Sequence, residues 1–227
     1  MLMLVLLTGC GGGHSYSADS VDATVIDDAT GKPLAGVIVV AYWDIYRLTD
    51  LPCPVEIEEA VTDKDGKFHI PAWGPRNLDC AISDASPFLY TFKEGYKHQR
   101  LLNMMSTMNR IQNSHSDWNG KTIRMVSFPN FSLGPNRGSV STYQDDFNEL
   151  NGDLEEIIVG GQGCNWTKVP NLIKAFVQQE NDFRSAASTQ SSLASTLMIA
   201  DASILKREPL CGSPKAFVQR LIQEMQK

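Results

Sequence analysis

The hydrophobic period changes once along this chain, and that change sets the fold class. From Val21 to about Phe128, apolar residues alternate or come in short runs broken by Gly, Pro and Asp, as strands require. Beyond Gly138 they recur every three or four residues, which places them on one face of a helix. Strands first and helices afterwards make an α+β chain rather than an alternating parallel one. The strand half reads as segments 21–26, 36–43, 55–62, 67–70, 78–82, 87–92 and 121–128. Segment 36–43 (GVIVVAYW) is rich in β-branched and aromatic residues and suits a fully buried strand. Gly31 and Pro33 mark a turn at 28–34, and Asp63-Lys64-Asp65-Gly66 predicts a hairpin because Gly accepts a positive φ. Short strands with no helix between them predict an antiparallel β-sandwich.

About four helices are expected to follow. Tyr143, Phe147, Leu150, Leu154, Ile157 and Ile158 share one face, with Thr142 and Asp145 in the pattern of a capping box. Gly152 costs this helix about 1 kcal/mol relative to Ala. A second helix spans 167–183, with Leu172, Ile173, Phe176 and Val177 inward, and a third spans 193–205. The fourth opens with Ser213 as N-cap and Pro214 in its first turn, burying Phe217, Leu221, Ile222 and Met225.

The net charge of −6 is well mixed and forms no basic stripe, which excludes nucleic acid as a natural partner. Near the start, an apolar run ends in Leu7-Thr8-Gly9-Cys10 and a glycine tract. That order resembles the lipobox of bacterial lipoproteins. The resemblance implies a signal peptide over 1–9, acylation (palmitate among the chains) of Cys10, and a flexible Gly/Ser tether over 10–19. No Lys or Arg precedes Leu2, so the natural start is expected upstream. Lipid would be the membrane attachment, and Gly11 after the cysteine points to the periplasmic face of the outer membrane. With Cys10 assigned to lipid, Cys53, Cys80, Cys164 and Cys211 remain, and four cysteines allow three connectivities. The preferred one joins Cys53 to Cys80 and Cys164 to Cys211, each bond inside one structural unit. Each loop would gain roughly 3–4 kcal/mol from chain entropy.

A second resemblance lies in the strand half. Val25-Ile26-Asp27, then Thr30-Gly31-Lys32-Pro33-Leu34-Ala35-Gly36-Val37, then Thr62-Asp63 with Asp65-Gly66, Phe68 and Ile70 look like a carboxypeptidase regulatory-like domain. Lys93-Glu94-Gly95-Tyr96 is similar to a Gly-Tyr that often follows in that family. The resemblance covers 20–128 and implies a small transthyretin-like β-sandwich, with a helical subdomain over 139–227. It carries a fold and no chemistry. Residues Cys164-Asn165-Trp166 and Cys211-Gly212-Ser213-Pro214 also resemble the tails of uncharacterised bacterial lipoproteins with this sandwich.

No catalytic residue, metal site or cofactor is assigned. Asp63-x-Asp65-Gly66 could open a calcium loop, but the twelfth position is Gly74 where a Glu would be needed. His98 and His115, with Lys97, Arg100 and Asp117 nearby, are the strongest candidates for an acid–base site. Tyr42, Trp43, Tyr46, Trp73, Tyr90 and Tyr96 are dense for one sandwich and could form an exposed face for protein or glycan. The sequence therefore predicts a lipid-anchored envelope protein with a non-catalytic sandwich for protein or glycan interaction. Two alternatives stand beside it, an envelope hydrolase near His98 and His115 and an assembly lipoprotein of a secretion apparatus.

Overall fold

The computed structural model describes residues 14–43, 56–78, 87–103, 115–128, 140–159, 165–186 and 212–226. In chain order these form β1 (His14–Ala18), β2 (Val21–Asp27), β3 (Ile38–Trp43), β4 (Glu56–Val61), β5 (Lys67–Ile70) and β6 (Trp73–Leu78). β7 (Pro87–Phe92), β8 (Gln99–Leu101) and β9 (Thr122–Met125) follow, then α1 (Val140–Val159), a 3-10 turn (Asn165–Lys168), α2 (Pro170–Ala186) and α3 (Pro214–Met225).

Strand β3 is buried at every position, and the layers are arranged around it. Successive side chains of a strand point to opposite faces. Val39, Ala41 and Trp43 accordingly join Val21, Val25, Phe68, Ile70, Ile123 and Met125 in a core between two sheets. Ile38, Val40 and Tyr42 join Tyr90 and Phe92 of β7 in a second core, completed by Leu150, Leu154, Leu172, Ile173, Phe176 and Leu221 from the helices. Three layers result: a three-stranded sheet ordered β5-β2-β9, a four-stranded sheet ordered β4-β3-β7-β8, and the helices. The continuous apolar run of β3 is the consequence of being the inner wall of both cores.

The four-stranded sheet is antiparallel throughout, with Val40 opposite Glu59 on β4 and Tyr90 on β7. β2 pairs antiparallel with β5 but parallel with β9, so the second sheet is mixed. The turn at 63–66 forms as a tight turn, with the Asp63 amide bonded to Lys67 O at 2.8 Å and Gly66 N to Asp63 O at 3.0 Å. It is not a hairpin, because β4 and β5 part into different sheets. Thr62 sets that departure: its hydroxyl accepts from Val37 N (2.8 Å) and donates to Leu34 O (2.6 Å), tying the end of β4 to the approach to β3.

Other expectations are corrected at the ends of elements. Residues 14–18, expected in a tether, pair antiparallel with β6, whose Gly74-Pro75 pair hides it from a strand reading. A strand that pairs on one side only tolerates that proline. α1 spans Val140–Val159, so Thr142 and Asp145 lie inside the helix. α2 begins at Pro170 rather than 167, with the 3-10 turn occupying the preceding residues. α3 starts as expected: Ser213 is extended (φ −82°, ψ 126°) and its hydroxyl accepts from Ala216 N at 3.4 Å. Cys10, Cys53, Cys80, Cys164, Cys211, Tyr46, the segment 79–82 and the helix expected at 193–205 lie outside the described residues. Among the described residues no helix is long and apolar enough to cross a membrane.

Candidate functional site

Among the described residues, a concentrated set of buried ionisable groups lies where the edge of the four-stranded sheet meets α1. The link between β7 and β8 turns at Gly95 (φ +82°), which accepts from Phe128 N at 2.9 Å, and Lys97 N donates to Val126 O at 2.9 Å. Tyr96 Oη donates to Asp27 Oδ2 at 2.9 Å and fastens the same link to β2. These ties hold the chain just ahead of His98, the pairing of β8 with β7 holds it from Gln99 onward, and the His98 side chain is 5 % exposed.

His98 faces two carboxylates from α1. Its Nδ1 lies 3.1 Å from Asp146 Oδ1, off the alignment of a hydrogen bond, and its Nε2 lies 3.4 Å from Asp153 Oδ2. The His98 amide donates to Asp146 Oδ2 at 3.2 Å. Arg100, two residues on in β8, sits 3.7 Å from Asp153 Oδ1 with its guanidinium over the Phe88 ring (4.9 Å) and the Tyr90 ring (5.7 Å). Asp146 and Asp153 are seven residues apart, two helical turns, which puts them on one face of α1 beside Leu150 and Leu154. Burial by itself lowers the imidazole pKa, but the two carboxylates beside it, Asp146 and Asp153, outweigh it and raise the pKa to about 9. His98 is a fixed cation at neutral pH.

Other charged side chains also join the layers. Glu56 on β4 is buried and binds Arg76 on β6 and Lys168 of the 3-10 turn, the latter at 2.7 Å, while Arg76 stacks over Trp73 at 5.5 Å. Glu59 on the same strand accepts from the Asn171 amide (2.9 Å), the Leu172 amide (2.7 Å) and Asn171 Nδ2 (2.9 Å) at the start of α2. A sheet carboxylate therefore supplies the N-terminal partner that a helix requires. Burial raises the Glu59 pKa despite those bonds. The Asp27 carboxylate has its pKa lowered by the Thr30 hydroxyl and amide and by Tyr96.

His98 and His115 serve different carboxylates. His115 is exposed and contacts Asp19 ahead of β2, and its carbonyl accepts from Asn103 Nδ2 at 3.0 Å. The Asp117 amide donates to Asn103 Oδ1 at 2.6 Å. His69, also exposed, pairs with Asp22 at 2.8 Å. The expected aromatic face is not a surface: Tyr42, Trp43 and Tyr90 are 1–3 % exposed, and Trp73 packs edge-on against Trp43. These rings fill the two cores because β3 has no outward face. Tyr96 is half-buried, with its hydroxyl committed to Asp27. Asn165, which fits a glycosylation sequon by letters, is 2 % exposed with its amide donating to Ile157 O.

The sequence reading singled out His98 and Arg100 and missed Asp146, Asp153, Glu56 and Glu59. Asp153 did leave a signal, as a carboxylate on the otherwise apolar stripe of Leu150, Leu154 and Ile157, where a buried charge needs a partner.

No protein-family model matches the sequence, and no curated protein is significantly similar to it. Solved structures with some likeness include a hydroxyquinol 1,2-dioxygenase from Pseudomonas putida DLL-E4, at 15% identity and a TM-score of 0.30, covering 50% of this chain and 57% of that one. Another is a 3-chlorocatechol 1,2-dioxygenase from Rhodococcus opacus 1CP, at 14% identity and a TM-score of 0.30, covering 51% and 61% of the two chains. The matched part spans little more than half of those enzymes, and a likeness of this size carries no argument about fold or chemistry.

Proposed function

We propose that this chain is a lipid-anchored lipoprotein of the bacterial cell envelope, attached through Cys10, whose body is a non-catalytic module for protein or glycan interaction. The observation that supports it most is the fate of the ionisable groups. His98, the best candidate base, is buried and protonated at neutral pH with both nitrogens directed at carboxylates. An imidazole in that state cannot accept a proton from a nucleophile. Glu56 and Glu59 are likewise committed to holding layers together. The hydrolase alternative, drawn around His98 and His115 together, therefore loses His98 as its base, and His115 contacts Asp19 instead.

The anchor reading is supported by Leu7-Thr8-Gly9-Cys10, and the transthyretin-like reading of the two sheets by the motifs around Gly31 and Gly66. With the aromatic rings inside, recognition falls to the polar rim, where β5 turns Lys67 and His69 outward. The assembly alternative depends on strand addition, and the described edge strands of the two larger sheets, β4, β5, β8 and β9, run from three to six residues.

The test is crosslinking in the native envelope of cells fed an alkyne fatty acid, followed by mass spectrometry. The proposal expects fatty-acid label on the wild type, none on Cys10→Ala, and a reproducible protein or glycan adduct. Absence of label on the wild type removes the anchor, and turnover of envelope material by the purified protein removes the non-catalytic reading.

A further inference from the structure

We infer that Asp146, His98, Asp153 and Arg100 form a proton-dependent latch that seats α1 on the sheet edge, making the helical layer the part of the molecule that opens first when His98 loses its charge. The argument starts from what surrounds the imidazole. Asp146 and Asp153 face it from α1, Arg100 approaches Asp153 from its own strand, and the His98 amide donates to Asp146. The two carboxylates are largely buried, with side chains 15 % and 11 % exposed.

Removal of the imidazole proton leaves two negative charges on one helix face and Arg100 near only one of them. Asp146 then keeps a backbone amide and no cation among these partners. A buried charge whose partner is removed is strongly destabilising. Relief is available in one direction: α1 can move away from the edge and hydrate both carboxylates. The β7–β8 link cannot move as readily, since Tyr96, Lys97 and Gly95 tie it to β2 and to the chain after β9. What α1 gives up is its own part, Leu150, Leu154 and Ile157, of the apolar cluster that also holds Ile38, Val40, Tyr42, Tyr90 and Phe92.

The experiment is hydrogen exchange read by mass spectrometry on the full chain from pH 7 to pH 10, with labelling times scaled to intrinsic exchange. Peptides from α1 should lose protection by roughly a hundredfold, with a midpoint near the imidazole pKa of about 9, while peptides from β2, β3 and β7 keep theirs. In His98→Gln the α1 step should vanish, with low protection already at pH 7. Loss of protection by α1 and the strands together, no step in α1, or a full step retained in His98→Gln would each overturn the inference. The wild-type profile decides the matter by itself if the variant does not fold.

Discussion

Gly66 and Gly31 have the same left-handed backbone, with φ of +72° and +69°, but different surroundings. A Cβ on Gly66 would stand 2.4 Å from Val25 O and 3.1 Å from Leu34 N, whereas one on Gly31 meets nothing within 4 Å. Gly31→Ala should cost about 1–2 kcal/mol from backbone strain alone. Gly66→Ala adds a clash with the backbone of Val25 and Leu34 and should cost at least about 3 kcal/mol. Urea midpoints of the two variants test the difference, and equal losses would mean that the close approach is relieved at no cost. His98 gives a pH dependence whose sign is fixed. Its folded pKa of about 9 lies above the unfolded value of about 6.5, so its stabilisation is complete below about pH 6.5 and fades as pH rises through about 9. The amount is at most on the order of 3 kcal/mol. Urea unfolding at pH 6 and pH 9.5 should show the wild type weakening between them and His98→Gln weakening less.

Individual elements differ in how far their own residues determine them. The start of α3 was legible in Ser213-Pro214 because an N-cap is local chemistry, and Ser213→Ala should cost about 1 kcal/mol. The start of α2 was not legible, because its partner Glu59 lies 112 residues away from Asn171 on a strand. Glu59→Ala leaves the first amides of α2 without that acceptor and should cost about 1–3 kcal/mol. Glu59→Gln keeps an acceptor oxygen and avoids burying a charge, so it should lose clearly less at pH 7; thermal melts of the two variants compare them. β1, β6 and β8 escaped a sequence reading for a related reason. Their Ser, Gly, Pro and Arg residues carry little strand preference, and each exists through its neighbour's pairing. The turn at 63–66 was legible as a turn, but its letters do not say which sheet the next strand joins.

At the scale of the molecule, the α+β class and the buried character of β3 could be read from the change in period and from GVIVVAYW. The sequence did not show that the two halves share one core. Ile38, Val40 and Tyr42 sit with Leu154, Phe176 and Leu221, so neither the sheets nor the helices can be complete without the other. A chain ended after Gly138 should therefore expose that sheet face, bind a hydrophobic dye strongly and associate, as large apolar patches do. A soluble, monomeric fragment with no dye binding would show that the sheet stands alone. Val39→Thr and Val40→Thr, on opposite faces of β3, should cost similar amounts of about 1–3 kcal/mol, since both faces are dry. Asn103 has a different reach, since one side chain clasps the carbonyl of His115 and the amide of Asp117. One side chain thus fixes where residue 103 meets residues 115 and 117 in the fold. Asn103 is in that sense a buckle, one amide group that clasps a distant carbonyl with its nitrogen and a distant N–H with its oxygen.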